Sequence, residues 1–134
     1  MAKPSLLLID DDKNTLDGLV RILKCEGYSV SGVLSGSDAL KLLSKEKFDV
    51  IITDMNMPGM DGLTLIHEVK KRKESIAIVV ITANSSIKTA SDAIKSSGYD
   101  YYLTKPVNVE ELKLVLNKLW DRQQSISQNQ LSNK

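Results

Sequence analysis

Five short runs of apolar or alternating residues, each followed by a stretch of helical spacing, fix what this chain can fold into. Residues 5–9, 28–33, 50–53, 76–81 and 101–103 are bounded by polar residues or breakers and are too short for helices. Runs of that kind read as strands. The segments between them have a different period. Leu16, Leu19, Val20 and Leu23 recur at i, i+3, i+4 and i+7. Ala39, Leu40 and Leu43 face inward on a helix over about 37–45, and Leu63, Ile66 and Val69 begin a third helix ending near 73. Ile87, Ala90 and Ile94 sketch a fourth, weakly apolar helix that Gly98 ends, and Leu112, Val115, Leu116, Leu119 and Trp120 mark a fifth. Gly27 is placed to end the first helix, and Asn108 with Glu111 to start the last as a capping box. Strand and helix alternating five times require right-handed crossovers, a parallel sheet and helices on both of its faces.

Bulk properties narrow the class. A chain of 134 residues with 42% hydrophobic and 26% charged residues is sized for one domain with a proper core. The net charge is +1 and no basic stripe runs along it, so nothing argues for direct nucleic-acid contact. The basic end of the third helix, Lys70 to Lys73, reads as a solvated helix end complementing the macrodipole. Cys25 is the only cysteine. An internal disulfide is excluded, and a reducing, cytoplasmic setting is the expectation. No apolar run is long enough to span a membrane. From Gln123 the composition turns to Gln, Ser and Asn, so residues 1–122 read as the domain and 123–134 as a polar tail or linker stub.

Polar residues gather where the strands end. Asp10 and Asp11 follow the first strand, Asp54 the third, Thr82 the fourth and Lys105 the fifth. In a parallel sheet those ends share one edge, the edge where open α/β sheets bind ligands. Singly, each residue has an ordinary role: a capping aspartate, a capping threonine, a surface lysine. Together they describe a site. Three clustered carboxylates repel one another unless a cation joins them. Mg²⁺ suits one or two carboxylates plus waters and phosphate oxygens. A lysine and a hydroxyl beside them suit a phosphoryl group, with Asp54 as its nucleophile.

Leu7-Leu8-Ile9-Asp10-Asp11-Asp12, Asp54-Met55-Asn56-Met57-Pro58-Gly59-Met60-Asp61-Gly62, Thr82-Ala83 and Tyr102-Leu103-Thr104-Lys105-Pro106 closely resemble the receiver domain of two-component response regulators, over about residues 5–121. The resemblance implies a flavodoxin-like sheet of order 2-1-3-4-5. It implies that Asp54 accepts a phosphoryl group from a phosphohistidine, on a histidine kinase or a histidine phosphotransfer protein. Asp11, Asp54 and the Asn56 backbone carbonyl would ligate Mg²⁺, or Mn²⁺ in its place, with Asp10 assisting through water. Thr82 and Lys105 would bind phosphoryl oxygens, and Lys105-Pro106 would be a cis peptide. Asp12 would start the first helix.

A switch is implied as well. Thr82 would move toward the phosphoryl group and the Tyr102 ring would turn inward. The face made by the fourth helix, fifth strand and fifth helix would then meet a target, an output domain or a second copy of the chain. Tyr99 stands where the family usually has a small residue, and Asn56 and Asn84 occupy positions that tune phosphoryl lifetime. The implied protein is a switch and not a turnover enzyme, acting only on its own phosphorylation. Two other classes compete. A Mg²⁺-dependent aspartyl-phosphate phosphatase wants a second acid where this chain has Asn56. A phosphate-independent pseudo-receiver would lack Asp54, Asp11 or Lys105.

Overall fold

The computed structural model describes residues 3–55, 62–72, 76–82 and 100–132. Its strands are β1 (Ser5–Ile9), β2 (Ser29–Val33), β3 (Val50–Asp54), β4 (Ala77–Thr82) and β5 (Tyr101–Thr104). They form one parallel sheet in the order β2-β1-β3-β4-β5, the order expected. The helices are α1 (Lys13–Cys25), α2 (Gly36–Leu43), α3 (Gly62–Lys71) and a C-terminal α4 (Val109–Ser132). The segment expected as a fourth helix, with Ile87, Ala90 and Ile94, lies outside the described residues, as do Tyr99 and Asn84.

Strand alternation sorts the core into two layers. Leu6 and Leu8, Val50 and Ile52, Val79 and Ile81, and Leu103 pack with Leu16, Leu19 and Leu23 of α1 and Leu112, Val115, Leu116 and Leu119 of α4. The intervening Leu7, Ile9, Ile51, Ile78 and Val80 pack with Ala39 and Leu43 of α2 and Leu65, Ile66 and Val69 of α3. The central strands are buried on both faces, which is why β3 and β4 read as continuous apolar runs. At the sheet edge, β2 alternates with exposed positions.

Helix ends follow local chemistry. Asp12 accepts from Asn14 N and from Thr15 Oγ1, capping α1. Gly27, at φ 98°, closes α1 with Gly27 N donating to the Lys24 carbonyl and Tyr28 N to the Leu23 carbonyl. That pairing is a Schellman motif. Asn108 Oδ1 accepts from Glu111 N at the start of α4, as its spacing predicts. Just past α3, Arg72 reaches the Ser44 hydroxyl and the Leu40 carbonyl, tying the basic helix end to α2.

The segment from Gln123, expected as a polar tail or linker stub, is helical and continues α4 to Ser132. Composition measures what a segment can bury and not whether a helix already under way continues into it. A helix already nucleated and packed propagates one hydrogen bond per residue until something breaks it. No glycine or proline occurs between residues 107 and 132. Gln123 Nε2 also donates to the Asp49 carbonyl at 3.2 Å, and Arg122 pairs with Asp100 at 2.9 Å. Both anchors sit at the amino edge of the sheet.

Candidate functional site

The ladder register explains how the site assembles. Ile9 pairs with Thr53 across β1 and β3, and Asp54 pairs with Ile81 across β3 and β4. Asp10 therefore emerges one step beyond Ile9, level with Asp54. Both share the parity of Leu6/Leu8 and Val50/Ile52, so both leave the sheet on the α1 side. Lys105 shares the parity of Leu103, on that same side. Lys105 N donates to the Thr82 carbonyl at 2.8 Å, and Lys105-Pro106 is a cis peptide. Three strands thus aim two carboxylates and one ammonium at one point.

There the geometry is close. Lys105 Nζ donates to Asp54 Oδ2 at 2.7 Å and lies 3.6 Å from Asp10 Oδ2. Asp10 Oδ1 accepts from Asp12 N at 2.9 Å. Asp10, Asp11 and Asp54 each offer an oxygen within 4.8 Å of the others. Asp10 and Asp54 are buried and Asp11 is exposed, so the cluster opens to solvent on one side.

Electrostatics show that one lysine does not balance the cluster. Burial, helped by the charges of Asp54 and Asp11, holds the Asp10 carboxyl above the usual carboxylate range despite Asp12 N–H and Lys105. Burial alone would lower Lys105, but the hydrogen bond and charge of Asp54, with Asp10, raise it above the ordinary lysine value. The lysine stays charged and the acids remain in excess. Three convergent hard oxygens with surplus negative charge fit a divalent cation of the Mg²⁺ type.

That imbalance has a stability consequence. A carboxyl raised in the folded state favours the fold at low pH, and that contribution is lost as pH rises through its folded value. At neutral pH Asp10 therefore opposes folding. Asp10→Asn keeps an oxygen for Asp12 N–H and removes the charge. Without Mg²⁺ at pH 7 it is expected to melt a few degrees higher than wild type, about 1 kcal/mol. The difference should shrink toward pH 4, as thermal melts at the two pH values would show.

Thr82 is buried at the end of β4, one step past Ile81, the ladder partner of Asp54. Tyr102 is half-buried against the α2–α3 layer, level with Val80. Asn56 lies outside the described residues. Motif reading missed Gly62. Its N–H donates to the Met55 carbonyl at 3.0 Å, directly behind Asp54. Only its place at the end of the Asp54 motif hinted at a role.

A doubly wound sheet with an acidic pocket and a paired lysine at its strand ends defines an α/β domain of the flavodoxin-like class whose site suits a divalent cation and a phosphoryl group. The family model for the response regulator receiver domain matches residues 6–117, and the chain belongs to that family. The transcriptional regulatory protein ZraR of Salmonella typhimurium is 36% identical over 116 residues, 87% of this chain and 26% of that protein. Transcriptional regulatory protein GlrR of Escherichia coli is 40% identical over 111 residues, 82% of this chain and 25% of that protein. Response regulator TrrA of Thermotoga maritima, solved in complex with Mg²⁺-BeF, is 34% identical, with a TM-score of 0.77 over 88% of this chain and 99% of that one. The chain spans about a quarter of the length of the curated relatives it matches. It is the receiver domain of a two-component response regulator, and its acidic pocket fits a phosphoacceptor site. No described helix is long and apolar enough to cross a membrane.

Proposed function

We propose that Asp54 is the phosphoryl acceptor. The observation that carries this reading is the 2.7 Å contact of Lys105 Nζ with Asp54 Oδ2 inside a three-carboxylate cluster. An Asp54 oxygen attacks phosphorus as the P–N bond of a phosphohistidine breaks, and the leaving imidazole takes up a proton. Lys105, already beside the attacked position, pairs with a phosphoryl oxygen. Asp11 and Asp54 would hold Mg²⁺ or Mn²⁺, with Asp10 supporting them from its buried place; Asn56, the third ligand that the family resemblance implies, lies outside the described residues. The bound ion supplies charge neutralisation for the phosphoryl oxygens. The similar response regulator TrrA was solved in complex with Mg²⁺-BeF, which supports a metal-dependent site of this kind. A cavity of about 470 Å³ lined by Thr15, Leu19, Lys105, Pro106 and Val107 opens beside the site. It offers a histidine kinase or phosphotransfer protein a seat while its imidazole reaches Asp54.

The switch reading follows from the same ladder. Thr82 and Lys105 are joined by a main-chain hydrogen bond and Tyr102 lies on β5, two residues before Thr104, the partner of Thr82. Thr82 moving toward a phosphoryl oxygen biases Tyr102 and the face of β5 and α4, where Tyr101 and Leu114 are exposed. The readers are an output domain, a target protein or a second copy of the chain. The chain works as a cytoplasmic switch whose only chemistry is its own phosphorylation and dephosphorylation, with residues 1–122 as the receiver and the rest of α4 as a linker.

Intact mass after incubation with acetyl phosphate tests the reading. One phosphoryl group should be gained with Mg²⁺ and none with chelator, and hydroxylamine should remove it, as expected of an acyl phosphate. Gain of a hydroxylamine-stable group, or gain independent of Mg²⁺, would sink the proposal.

A further inference from the structure

Helix α3 starts against the main chain that carries Asp54. A Cβ on Gly62 would lie 2.9 Å from Met55 Cα, 3.0 Å from the Asp54 carbonyl oxygen and 3.3 Å from the Met55 carbonyl oxygen. All three are backbone atoms, which cannot swing aside as a side-chain tip can. Gly62 N donates to the Met55 carbonyl at 3.0 Å, and Met55 N donates to the Ile81 carbonyl at 2.8 Å. Both polar main-chain groups of Met55 are therefore held, one by α3 and one by β4. Retreat of the helix would pull apart a packed layer. Leu65, Ile66 and Val69 are at most 1% exposed in a close-packed layer.

We infer that Gly62 is a positioning residue for the phosphoryl-accepting site: by closing a Met55–Gly62 clamp that only glycine permits, it sets the place of Asp54 and of the main chain just after it. The inference rests on Asp54 being acceptor and metal ligand. A methyl group at position 62 has to push Met55 off Ile81 or shift the Asp54 carbonyl. Either movement carries the Asp54 carboxylate, whose Oδ2 sits 2.7 Å from Lys105 Nζ and within 4.8 Å of the Asp10 and Asp11 oxygens. Metal sites and reacting groups tolerate displacements of only a fraction of an ångström. The cost therefore falls on metal affinity and phosphoryl uptake before it falls on the fold.

Gly32 supplies the internal comparison. A Cβ there would lie 2.9 Å from Val20 Cγ2 and 3.1 Å from Leu16 Cδ1, side-chain atoms of α1 packed on β2. Gly32→Ala crowds the core without touching the chain behind Asp54.

The test uses the full chain. Calorimetric Mg²⁺ titration, phosphoryl gain from acetyl phosphate and thermal melts are run on wild type, Gly62→Ala and Gly32→Ala. Gly62→Ala is expected to weaken Mg²⁺ binding by about tenfold to a hundredfold, as loss of other supporting groups does. Its phosphoryl gain should remain slow at saturating Mg²⁺. Gly32→Ala should melt lower with its Mg²⁺ affinity unchanged within about twofold, as for sites with no shared partner. Wild-type Mg²⁺ affinity and uptake in Gly62→Ala would overturn the inference and leave Asp54 standing as acceptor. No Mg²⁺-dependent phosphoryl gain in wild type would overturn both. Should Gly62→Ala fail to fold, amide exchange on wild type decides. The Gly62 N–H is expected to be protected, and more so with Mg²⁺. Exchange at the rate of an open amide in both conditions would remove the clamp.

Discussion

Asp54→Asn is expected to take up no phosphoryl group from acetyl phosphate, a loss on the order of a thousandfold or more, under conditions where wild type gains one. The substitution is nearly isosteric, so it removes the nucleophile and spares the packing. An amide oxygen is far weaker than a carboxylate toward phosphorus and gives no stable acyl phosphate. The change also takes one charge from a cluster of three and leaves Lys105 beside a neutral partner. The variant should therefore fold at least as well as wild type, and circular dichroism melts beside the mass measurement would establish that. Full uptake by folded Asp54→Asn would move the acceptor elsewhere. Asp10 and Asp11 would then be the groups to replace in turn.

Removing Asp11 should separate metal from fold even more sharply. Asp11 is exposed, buries nothing and adds to the repulsion that raises Asp10. Asp11→Ala is expected to melt at or slightly above the wild-type temperature without metal. Wild type with Mg²⁺ at a hundred times its dissociation constant should gain about 2.7 kcal/mol from binding. Asp11→Ala should gain almost none of it and should lose phosphoryl uptake together with its Mg²⁺ dependence. Melts in a Mg²⁺ series with a chelator control read both effects. An equal Mg²⁺-induced rise in the two proteins would show that Asp11 is not a ligand.

Much of this was legible in the residues because period and topology do most of the positioning. Once β3 and β4 read as buried strands in a parallel sheet, Asp10, Asp54, Thr82 and Lys105 had to share an edge. Asp12 as a cap and Gly27 as a helix stop followed from local backbone chemistry, which acts over a few residues and is visible in them. Two things were not legible. The 2.7 Å contact of Lys105 with Asp54 depends on the register between β3, β4 and β5, which is set by the packing of both layers at once. The closeness of Gly62 to Met55 depends on how deeply α3 sinks into its layer. The helical continuation past Gln123 has a separate cause. The helix is held partway along by Arg122 and Gln123 on aspartates that lie far away in sequence, and side-chain composition carries no sign of those anchors.

Those two anchors give α4 the mechanics of a lever. Asp49 and Asp100 form a fulcrum at the pole of the sheet opposite Asp54, and nine helical residues project past Gln123 to Ser132. At 1.5 Å per residue that arm is roughly 13 Å long, so a rotation of about 10° at the fulcrum swings its tip by roughly 2 Å. Asp100 also accepts from Ile78 N and lies immediately before β5, the strand that bears Tyr102 and leads to Lys105. Under the proposed switch, an adjustment of β5 that displaced Asp100 would reach the helix tip through this fulcrum, enlarged by the length of the arm.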